Sequence, residues 1–287
     1  MTASALRNRI QAQLGIMMPE TKEALVRSRL QRRLAALGVD SLEAYERYLA
    51  TSPAALEELR ELVSAITTNT TSFFREAPQI DYLVEQIVPS ILATERYATV
   101  KVWSAGCSSG EEPYSIAMAL ADLQRRVPGW DYAILATDVS PRVLDAARTG
   151  VYLADQAAAI PRPLHRYLMT SRDPERPLVR VRPELRAKIA FHELNFMDPR
   201  YAVDDVFDVI YFRNVAIYFD PPTQDAVVTR LCRHLRPGGH LMIGHSESLV
   251  GRDVPVRHVA PSIYRKPARG RTRPIRVHRV TAEQERA

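Results

Sequence analysis

Two consecutive glutamates after a glycine-containing loop are the first residues whose positions suggest chemistry. Residues 104–113 read SAGCSSGEEP, between a short apolar run and a predicted helix. Glycines at the carboxyl end of a strand let a ligand approach the backbone closely. The loop lacks Gly-x-Gly-x-x-Gly spacing, and Glu111 and Glu112 would repel a pyrophosphate but suit an ammonium group. In a purely structural interpretation, these glutamates complement the helix dipole.

A further acidic residue, Asp138, ends the next strand-like run. Acids at this position hold ribose hydroxyls in nucleotide-binding α/β folds. The alternative is an N-cap for the helix that begins at Pro141, although Ser140 offers the better cap. The sequence thus offers one acidic residue for a ligand's ammonium group and another for its ribose, but no cradle for a phosphate. This combination favours S-adenosylmethionine over NAD or ATP as the ligand.

Alternating strand and helix patterns position these acidic residues. Strands are predicted at 100–103, 132–137, 207–212 and 241–244, and helices at 113–126, 140–148 and 221–235, with a turn at 237–239. This alternation predicts a doubly wound, parallel, Rossmann-like α/β sheet. Its ligands bind beyond the carboxyl ends of the strands.

Two regions depart from that alternation. Between Gly150 and Asp205 there is no glycine, and the strand-like runs 178–182 and 189–194 are predicted to pair antiparallel in an inserted subdomain. Residues 1–66 show leucines at helical spacing, with stop and cap signals at Gly38 and Ser41, which predict a small helical bundle.

Composition excludes several classes of protein. The chain has 287 residues, 46% of them hydrophobic, and no stretch that resembles a membrane span or a signal peptide, so we expect a cytoplasmic protein without membrane insertion. Its two cysteines and seven histidines show no metal spacing. The net charge is +6, and residues 264–287, with eight basic and two acidic residues, account for all of it. The rest of the chain is therefore neutral overall and gives no reason to expect nucleic-acid binding.

Five separate segments together resemble one known family. They are the motifs at 67–76, 105–115, 195–196, 207–220 and 235–248, among them TTNTTSFFRE, AGCSSGEEPYS and FDVIYFRNVAIYFD. In this order, over roughly residues 10 to 266, the chain resembles the chemotaxis receptor methyltransferase family, CheR.

The resemblance implies a protein-glutamate O-methyltransferase that converts S-adenosyl-L-methionine to S-adenosyl-L-homocysteine. It implies an all-α N-terminal domain at 1–67, a linker at 68–79 that contributes to the cofactor site, and a methyltransferase domain at 80–267 with a β subdomain at about 167–195. Residues 268–287 form a basic tail, expected to be a solvated appendage, with phosphate or membrane-surface binding as the alternative. Two other functions stay open: methylation of another substrate, and non-catalytic S-adenosylmethionine binding.

The resemblance also assigns site residues. The expected cofactor contacts are Asn69, Thr71, Arg75, Gly106, Glu112, Asp138, Asn195, Phe196, Arg213 and Asn214. Arg75 and Tyr218 are expected beside the transferred methyl group, although Tyr218 also suits a packing role. No metal is expected.

The implied partner is a methyl-accepting receptor with acidic helices. Four arginines of the predicted helix at 22–37 form either a solvated face or a surface that steers those helices: Arg27, Arg29, Arg32 and Arg33. Some family members also bind a receptor C-terminal tether peptide on the β subdomain. Here the turn at 170–177 has no glycine, unlike many tether-binding members, so tether binding stays open. We expect a monomer.

Overall fold

Four helices form the N-terminal part of the computed structural model, which describes residues 3–17, 23–66, 71–96, 98–173 and 175–268. They are α1 (Ala3–Leu14), α2 (Glu23–Leu37), α3 (Leu42–Thr51) and α4 (Ala55–Ile66). Ser41 caps α3 by accepting a hydrogen bond from the Ala44 amide at 3.1 Å. The predicted helical bundle is therefore confirmed.

A short helical segment connects the bundle to the sheet. It consists of α5 (Ala77–Tyr82), a π-helical turn (Leu83–Ile87) and α6 (Val88–Leu92). Gln79 fixes α5 to the end of the sheet, because its buried side-chain amide donates to the Ile243 carbonyl at 2.7 Å. The residues just before α5 are thereby held near the carboxyl ends of the strands.

The remaining elements include the predicted alternation of strands and helices, which is interrupted by three short strands between residues 151 and 181. They are β1 (Thr99–Ala105), α7 (Glu111–Arg126), β2 (Asp131–Asp138), α8 (Pro141–Thr149), β3 (Val151–Leu153), β4 (Leu168–Thr170), β5 (Leu178–Val181), α9 (Pro183–Arg186), β6 (Ile189–Glu193), β7 (Phe207–Phe212), α10 (Pro221–Arg233), β8 (Leu235–Ile243), β9 (Arg257–Ala260) and β10 (Ile263–Arg265). The large sheet has the strand order β6-β2-β1-β7-β8-β10-β9. Its first five strands are parallel, and β10 pairs antiparallel with both neighbours.

The predicted pairing of 178–182 with 189–194 is wrong. β5 lies between β3 and β4 in a separate three-stranded antiparallel sheet, whereas β6 pairs parallel with β2, from Ile134 opposite Ile189 to Asp138 opposite Glu193. The turn of α9 redirects the chain, so that β6 completes the outer edge of the large sheet. The small sheet thus uses strands within 151–181, while 189–193 belongs to the large sheet.

The predicted turn at 237–239 lies inside β8. The pairing of β7 with β8 shifts between Phe207 opposite Leu235 and Val209 opposite His240, so extra residues of β8 bulge out of the ladder there. Gly238 has φ of +83°, which suits this irregular segment.

Hydrophobic clusters cover both faces of the large sheet. One face packs with α7, the linker helices and the small sheet. The other face, with Trp103, Ile210 and Phe212, packs with α10 and with N-terminal residues such as Leu59 and Leu62. Both cysteines are buried and unbonded to each other. Within the described residues, every helix is too short or too polar to cross a bilayer.

Candidate functional site

The loop after β1 is held against the end of β2. The amides of Gly106 and Cys107 both donate to the Thr137 carbonyl, at 2.8 and 2.9 Å. Gly106 has φ of +89°, and a Cβ atom there would lie 2.4 Å from Val215 Cγ2. Glycine is required because neither the backbone conformation nor the space admits a side chain. This loop therefore joins the carboxyl ends of β1 and β2 to the loop that follows β7.

Asp138 connects two loops of the site. Its Oδ2 accepts from the Ser108 amide at 2.9 Å, and its Oδ1 accepts from the Ser140 amide at 3.0 Å. Burial raises the pKa of Asp138, although these amides act in the opposite direction. Each carboxylate oxygen has capacity for a further hydrogen bond. Asp138 can therefore fix the loops and still accept from a ribose hydroxyl.

Ser140 does not provide the cap expected of it. It occupies the N-cap position of α8, but its side chain makes no capping hydrogen bond, and its Oγ is buried without a hydrogen-bond partner. The expectation that the Ser140 side chain caps the helix is wrong; Ser140 is held through its main chain instead, since its own amide donates to the Asp138 carboxylate.

Glu112 and Arg213 form a buried ion pair. Arg213 Nε donates to Glu112 Oε2 at 2.6 Å, and Ser104 Oγ donates to Glu112 Oε1, also at 2.6 Å. Arg213 Nη1 reaches the Arg75 carbonyl at 2.7 Å and lies 3.5 Å from Glu76 Oε2. Both site predictions, Glu112 and Arg213, thus fall in one cluster with the linker.

This cluster has an excess of negative charge. The side chains of Glu76 and Glu112 are each 11% exposed and that of Arg213 is 3% exposed, so two carboxylates share one guanidinium in a poorly solvated place. Interactions between charges are strong there because water screens them little. The cluster therefore favours a cationic ligand group over an anionic one.

Glu111 has a different environment from its neighbour Glu112. Ser109 Oγ donates to Glu111 Oε2 at 2.7 Å, and the residue is 3% exposed. Burial raises the pKa of Glu111. The two consecutive glutamates therefore have different surroundings. Glu112 faces Arg213, and Glu111 packs at the base of α7.

The linker holds Arg75 between two residues in left-handed conformations. Phe74 and Glu76 have φ of +53° and +55°, which is costly for residues with a Cβ atom. The Phe74 amide donates to Ser115 Oγ at 2.9 Å, and Glu76 Oε1 accepts from the His245 amide at 3.2 Å. Arg75 has an exposed side chain on a main chain that is fixed from both sides.

Backbone strain is concentrated at the site. Among the described residues, five non-glycine residues have positive φ, and four lie in these loops: Phe74, Glu76, Ser108 and Asn214. Strained backbone persists only where its surroundings impose it. The loops are therefore held in defined conformations.

Glu247 organises the loop after β7. Its Oε2 accepts from the amides of Gly244 and Asn214, at 2.6 and 3.1 Å, and its Oε1 accepts from the Ile217 amide at 3.3 Å. Burial raises the pKa of Glu247 in spite of these amides. The sequence assigned no role to this residue. The signals that could have found it were its place in the motif at 235–248 and its position four residues after the end of β8, on the same side of the sheet as the other site loops.

Asn195, Phe196 and Tyr218 lie where the helical bundle meets the sheet. Asn195 Nδ2 donates to the Gln13 carbonyl at 2.8 Å. Phe196 is buried and packs edge-to-face on Phe212, with ring centroids 5.2 Å apart. Tyr218 is half-buried, and its carbonyl accepts from the Met17 amide at 2.7 Å. Cofactor contacts at Asn195 and Phe196, and a reactive role for Tyr218, remain predictions.

Two further predicted cofactor contacts belong to the linker. Thr71 is half-buried at the start of the described part of the linker, and Asn69 lies outside the described residues. Within the described ranges, no group of three or more His, Cys, Asp or Glu side chains is arranged to hold a metal ion.

The arginines of α2 do not share one environment. Arg33 donates to both carboxylate oxygens of Glu58, at 3.0 and 2.6 Å, and Tyr45 donates its hydroxyl to the same carboxylate at 2.9 Å. Including Arg33 in a solvated or docking face is therefore wrong, because its guanidinium neutralises a carboxylate that is 4% exposed. Arg32 is exposed, and the side chains of Arg27 and Arg29 lie outside the described part of α2.

Comparison with known proteins identifies the family. One family model, the CheR methyltransferase SAM binding domain, matches residues 69–264, and another, the CheR methyltransferase all-alpha domain, matches residues 2–67. The chemotaxis protein methyltransferase of Salmonella typhimurium is 40% identical over 235 residues, which are 82% of this chain and 79% of that protein. The probable chemotaxis protein methyltransferase of Rhizobium etli is 37% identical over 256 residues, 88% of this chain and 94% of that protein. The chain therefore belongs to the CheR methyltransferase family, and S-adenosylmethionine is its cofactor.

Proposed function

We propose that this protein transfers a methyl group from S-adenosylmethionine to glutamate side chains of chemotaxis-type receptors. The observation that carries the proposal is the position of Arg75, whose side chain is exposed and whose carbonyl is bound by Arg213 of the anionic cluster. A cation that can bind a substrate carboxylate thus adjoins a cluster that can bind a cation. The relatives' names, chemotaxis protein methyltransferases, support the receptor as the substrate.

The described residues fit S-adenosylmethionine. When bound, this cofactor supplies an electrophilic methyl group on a positively charged sulfur. We assign Glu112, within the anionic cluster, to the ammonium group of the cofactor, and Asp138 to its ribose hydroxyls. Gly106 lets the loop after β1 pack closely against Val215, since any side chain there would collide with it, and so fixes the loops around the proposed cofactor site.

The proposed reaction makes few demands on side chains. A glutamate substrate, with a reference pKa of about 4.3, is ionised at neutral pH, so no general base is required. We assign Arg75 to orienting the carboxylate, through a contact of the bidentate kind that guanidinium groups make. That contact must stay moderate, because a tight ion pair stabilises the ground state more than the transition state. Excluding water and holding the reactants in line supply most of the acceleration.

Tyr218 completes this assignment. Its loop is fixed on one side through Glu247, which binds the Ile217 amide, and on the other through the Met17 amide. We assign its hydroxyl to the substrate carboxylate. A packing role alone is the alternative, and Tyr218→Phe distinguishes the two because it removes only the hydroxyl.

The decisive experiment incubates the protein with methyl-labelled S-adenosylmethionine and receptor-containing membranes. Carboxyl methyl esters are base-labile, so alkali should release volatile labelled methanol from the receptor. A receptor whose methylated glutamates are replaced by alanine serves as the control. Label in another molecule would indicate a methyltransferase of a different substrate, and cofactor binding without transfer would indicate a regulator; either result contradicts the proposal.

Tether binding is a finer part of the same proposal. β3 and β4 are the outer strands of the small sheet, so an extended receptor tether peptide can add to one of them. Titrating the protein with the C-terminal peptide of its receptor tests this assignment. An unchanged methylation rate for a receptor that lacks this peptide would contradict it.

A further inference from the structure

The end of α1 contacts two loops of the candidate site. Gln11 Nε2 donates to Asp220 Oδ2 at 3.3 Å, the Gln13 carbonyl accepts from Asn195 at 2.8 Å, and the Met17 amide donates to the Tyr218 carbonyl at 2.7 Å. These three hydrogen bonds fall within seven residues of the N-terminal segment. They reach the loop after β6 and the loop after β7.

Gly15 forms the turn after α1 that makes these contacts with the two site loops possible. It has φ of +70°, and a Cβ atom there would lie 2.5 Å from Met197 Sδ and 3.2 Å from Phe219 Cδ1. Met197 follows Asn195 by two residues, and Phe219 directly follows Tyr218. A side chain at Gly15 would therefore press on the flexible Met197 side chain and on the Phe219 ring, which belong to the two loops that carry these site residues.

Apolar packing makes the contact stiff. Ile10, Leu14 and Ile16 are buried, and they belong to the same hydrophobic cluster as Phe196 and Phe219. A shift of the α1 turn cannot be absorbed locally, because well-packed side chains transmit displacement to their neighbours.

We propose that the Gly15 turn is a positioning element of the active site, which sets the places of Asn195 and Tyr218. The helical N-terminal part then acts in cofactor binding and turnover, in addition to any part in receptor docking. This inference rests on the proposed function for the role of Tyr218, and on the predicted cofactor contact for the role of Asn195.

The test compares Gly15→Ala with Gly38→Ala. Gly38 lies in the same helical part, has nearly the same φ of +66°, and has nothing within 4 Å of a built Cβ atom. Both variants carry similar backbone strain, and only Gly15→Ala also presses on Met197 and Phe219. We expect Gly15→Ala to lower kcat for receptor methylation by about 10- to 100-fold, the effect of small misplacements remote from the reaction. Its affinity for S-adenosylhomocysteine, measured by calorimetry, should also fall, and Gly38→Ala should change neither.

A rescue variant separates positioning from instability. Met197→Ala removes the sulfur that Gly15→Ala would strike, so the double variant should recover most of the lost cofactor affinity and kcat. Should Gly15→Ala not fold, Gln11→Ala keeps the inference testable, because it removes only the hydrogen bond to Asp220; it should lower kcat at unchanged melting temperature. Equal effects of Gly15→Ala and Gly38→Ala on both readouts, or an unchanged kcat in Gln11→Ala, would overturn the inference.

The two proposals fail separately. If the unaltered protein does not methylate receptors, the proposed function is wrong, and the comparison of cofactor affinities still decides whether the Gly15 turn positions Asn195. If receptors are methylated and both alanine variants bind S-adenosylhomocysteine and turn over alike, only the positioning inference is wrong.

Discussion

Arg213 pairs with Glu112 through Nε and Oε2 at 2.6 Å, although 101 positions separate them in the chain. The same guanidinium binds the Arg75 carbonyl through Nη1. One buried side chain therefore connects the loop after β7, the first turn of α7 and the linker. Its planar group is suited to this because a guanidinium donates in several fixed directions, which a lysine ammonium group cannot reproduce.

The two neighbouring glutamates should respond in opposite ways to neutralisation. Glu112→Gln weakens a buried ion pair and should destabilise the fold by about 3 kcal/mol, the lower end for such pairs because Glu76 remains near Arg213. Glu111→Gln removes a buried charge whose side-chain hydrogen bond comes from the neutral Ser109 hydroxyl, and it should change stability by no more than about 1 kcal/mol, in the stabilising direction. Urea unfolding at pH 7 measures both.

The pH dependence of the Glu111 effect provides a check. Burial raises its folded-state pKa above the unfolded value, so the ionised group lowers stability at pH values above the folded pKa. The penalty disappears as the pH falls below the unfolded value. The gain in Glu111→Gln should therefore shrink toward acid pH, and a gain that grows on acidification would contradict the assignment.

Arg75→Ala should separate turnover from cofactor binding. The bond between Arg75 and Arg213 uses the main-chain carbonyl, so truncating the side chain leaves it in place. We expect kcat at saturating cofactor to fall by about 100-fold, as when a group that binds a reacting charge is lost, while S-adenosylhomocysteine affinity stays within threefold, about 0.65 kcal/mol. Arg257→Ala, an exposed residue on β9, is the matched control. A parallel loss of cofactor affinity in Arg75→Ala would show that the side chain itself also makes the cofactor contact predicted for Arg75.

Cofactor affinity should fall in acid because of Asp138. Burial raises the pKa of Asp138 above the ordinary aspartate value, and the protonated form accepts hydrogen bonds from ribose hydroxyls less well. Calorimetric affinity for S-adenosylhomocysteine should therefore decrease as the pH falls through this pKa. Asp138→Asn should bind more weakly at pH 7 and show no such decrease. An identical acid limb in Asp138→Asn would assign the titration to another group.

Arg32 and Arg33 should have different functions despite being adjacent. Arg33→Ala leaves the buried Glu58 carboxylate without its main cation and should destabilise the protein by about 3–5 kcal/mol. Arg32→Glu should leave stability unchanged and weaken apparent receptor affinity, less so at high salt, because Coulomb steering is screened over about 8 Å at physiological ionic strength. Unfolding curves and methylation across a salt series test the pair. Salt-independent or absent effects of Arg32→Glu would remove α2 from the docking surface.

The sequence was sufficient for features that local pattern controls. Periodicity and caps predicted the N-terminal helices and the alternation from β1 to β8. The rule that ligands bind at the carboxyl ends of strands in α/β sheets predicted a site at Gly106, Glu112 and Asp138. Their loops do meet at one edge of the sheet.

Contacts between distant segments were not predictable in the same way. β6 was misplaced because its partner strand, β2, lies some fifty residues earlier and no local signal selects it over β5. Arg33 looked like one of four similar arginines, and only the fold brings Glu58 against it. Glu247 and the contact of Asn195 with Gln13 were missed for the same reason, since the latter spans 182 positions.

The cluster that joins Leu59 and Leu62 to Trp103 and Phe212 has a thermodynamic consequence. Removing the helical bundle would expose this face of the sheet to water, and removing the sheet would expose the matching face of the bundle. The two parts are therefore expected to melt as one cooperative unit, and the free energy gained on binding a ligand at the strand ends is shared with the N-terminal helices. Slowed amide hydrogen exchange in α1 and α4 upon ligand binding would be the visible sign of this sharing.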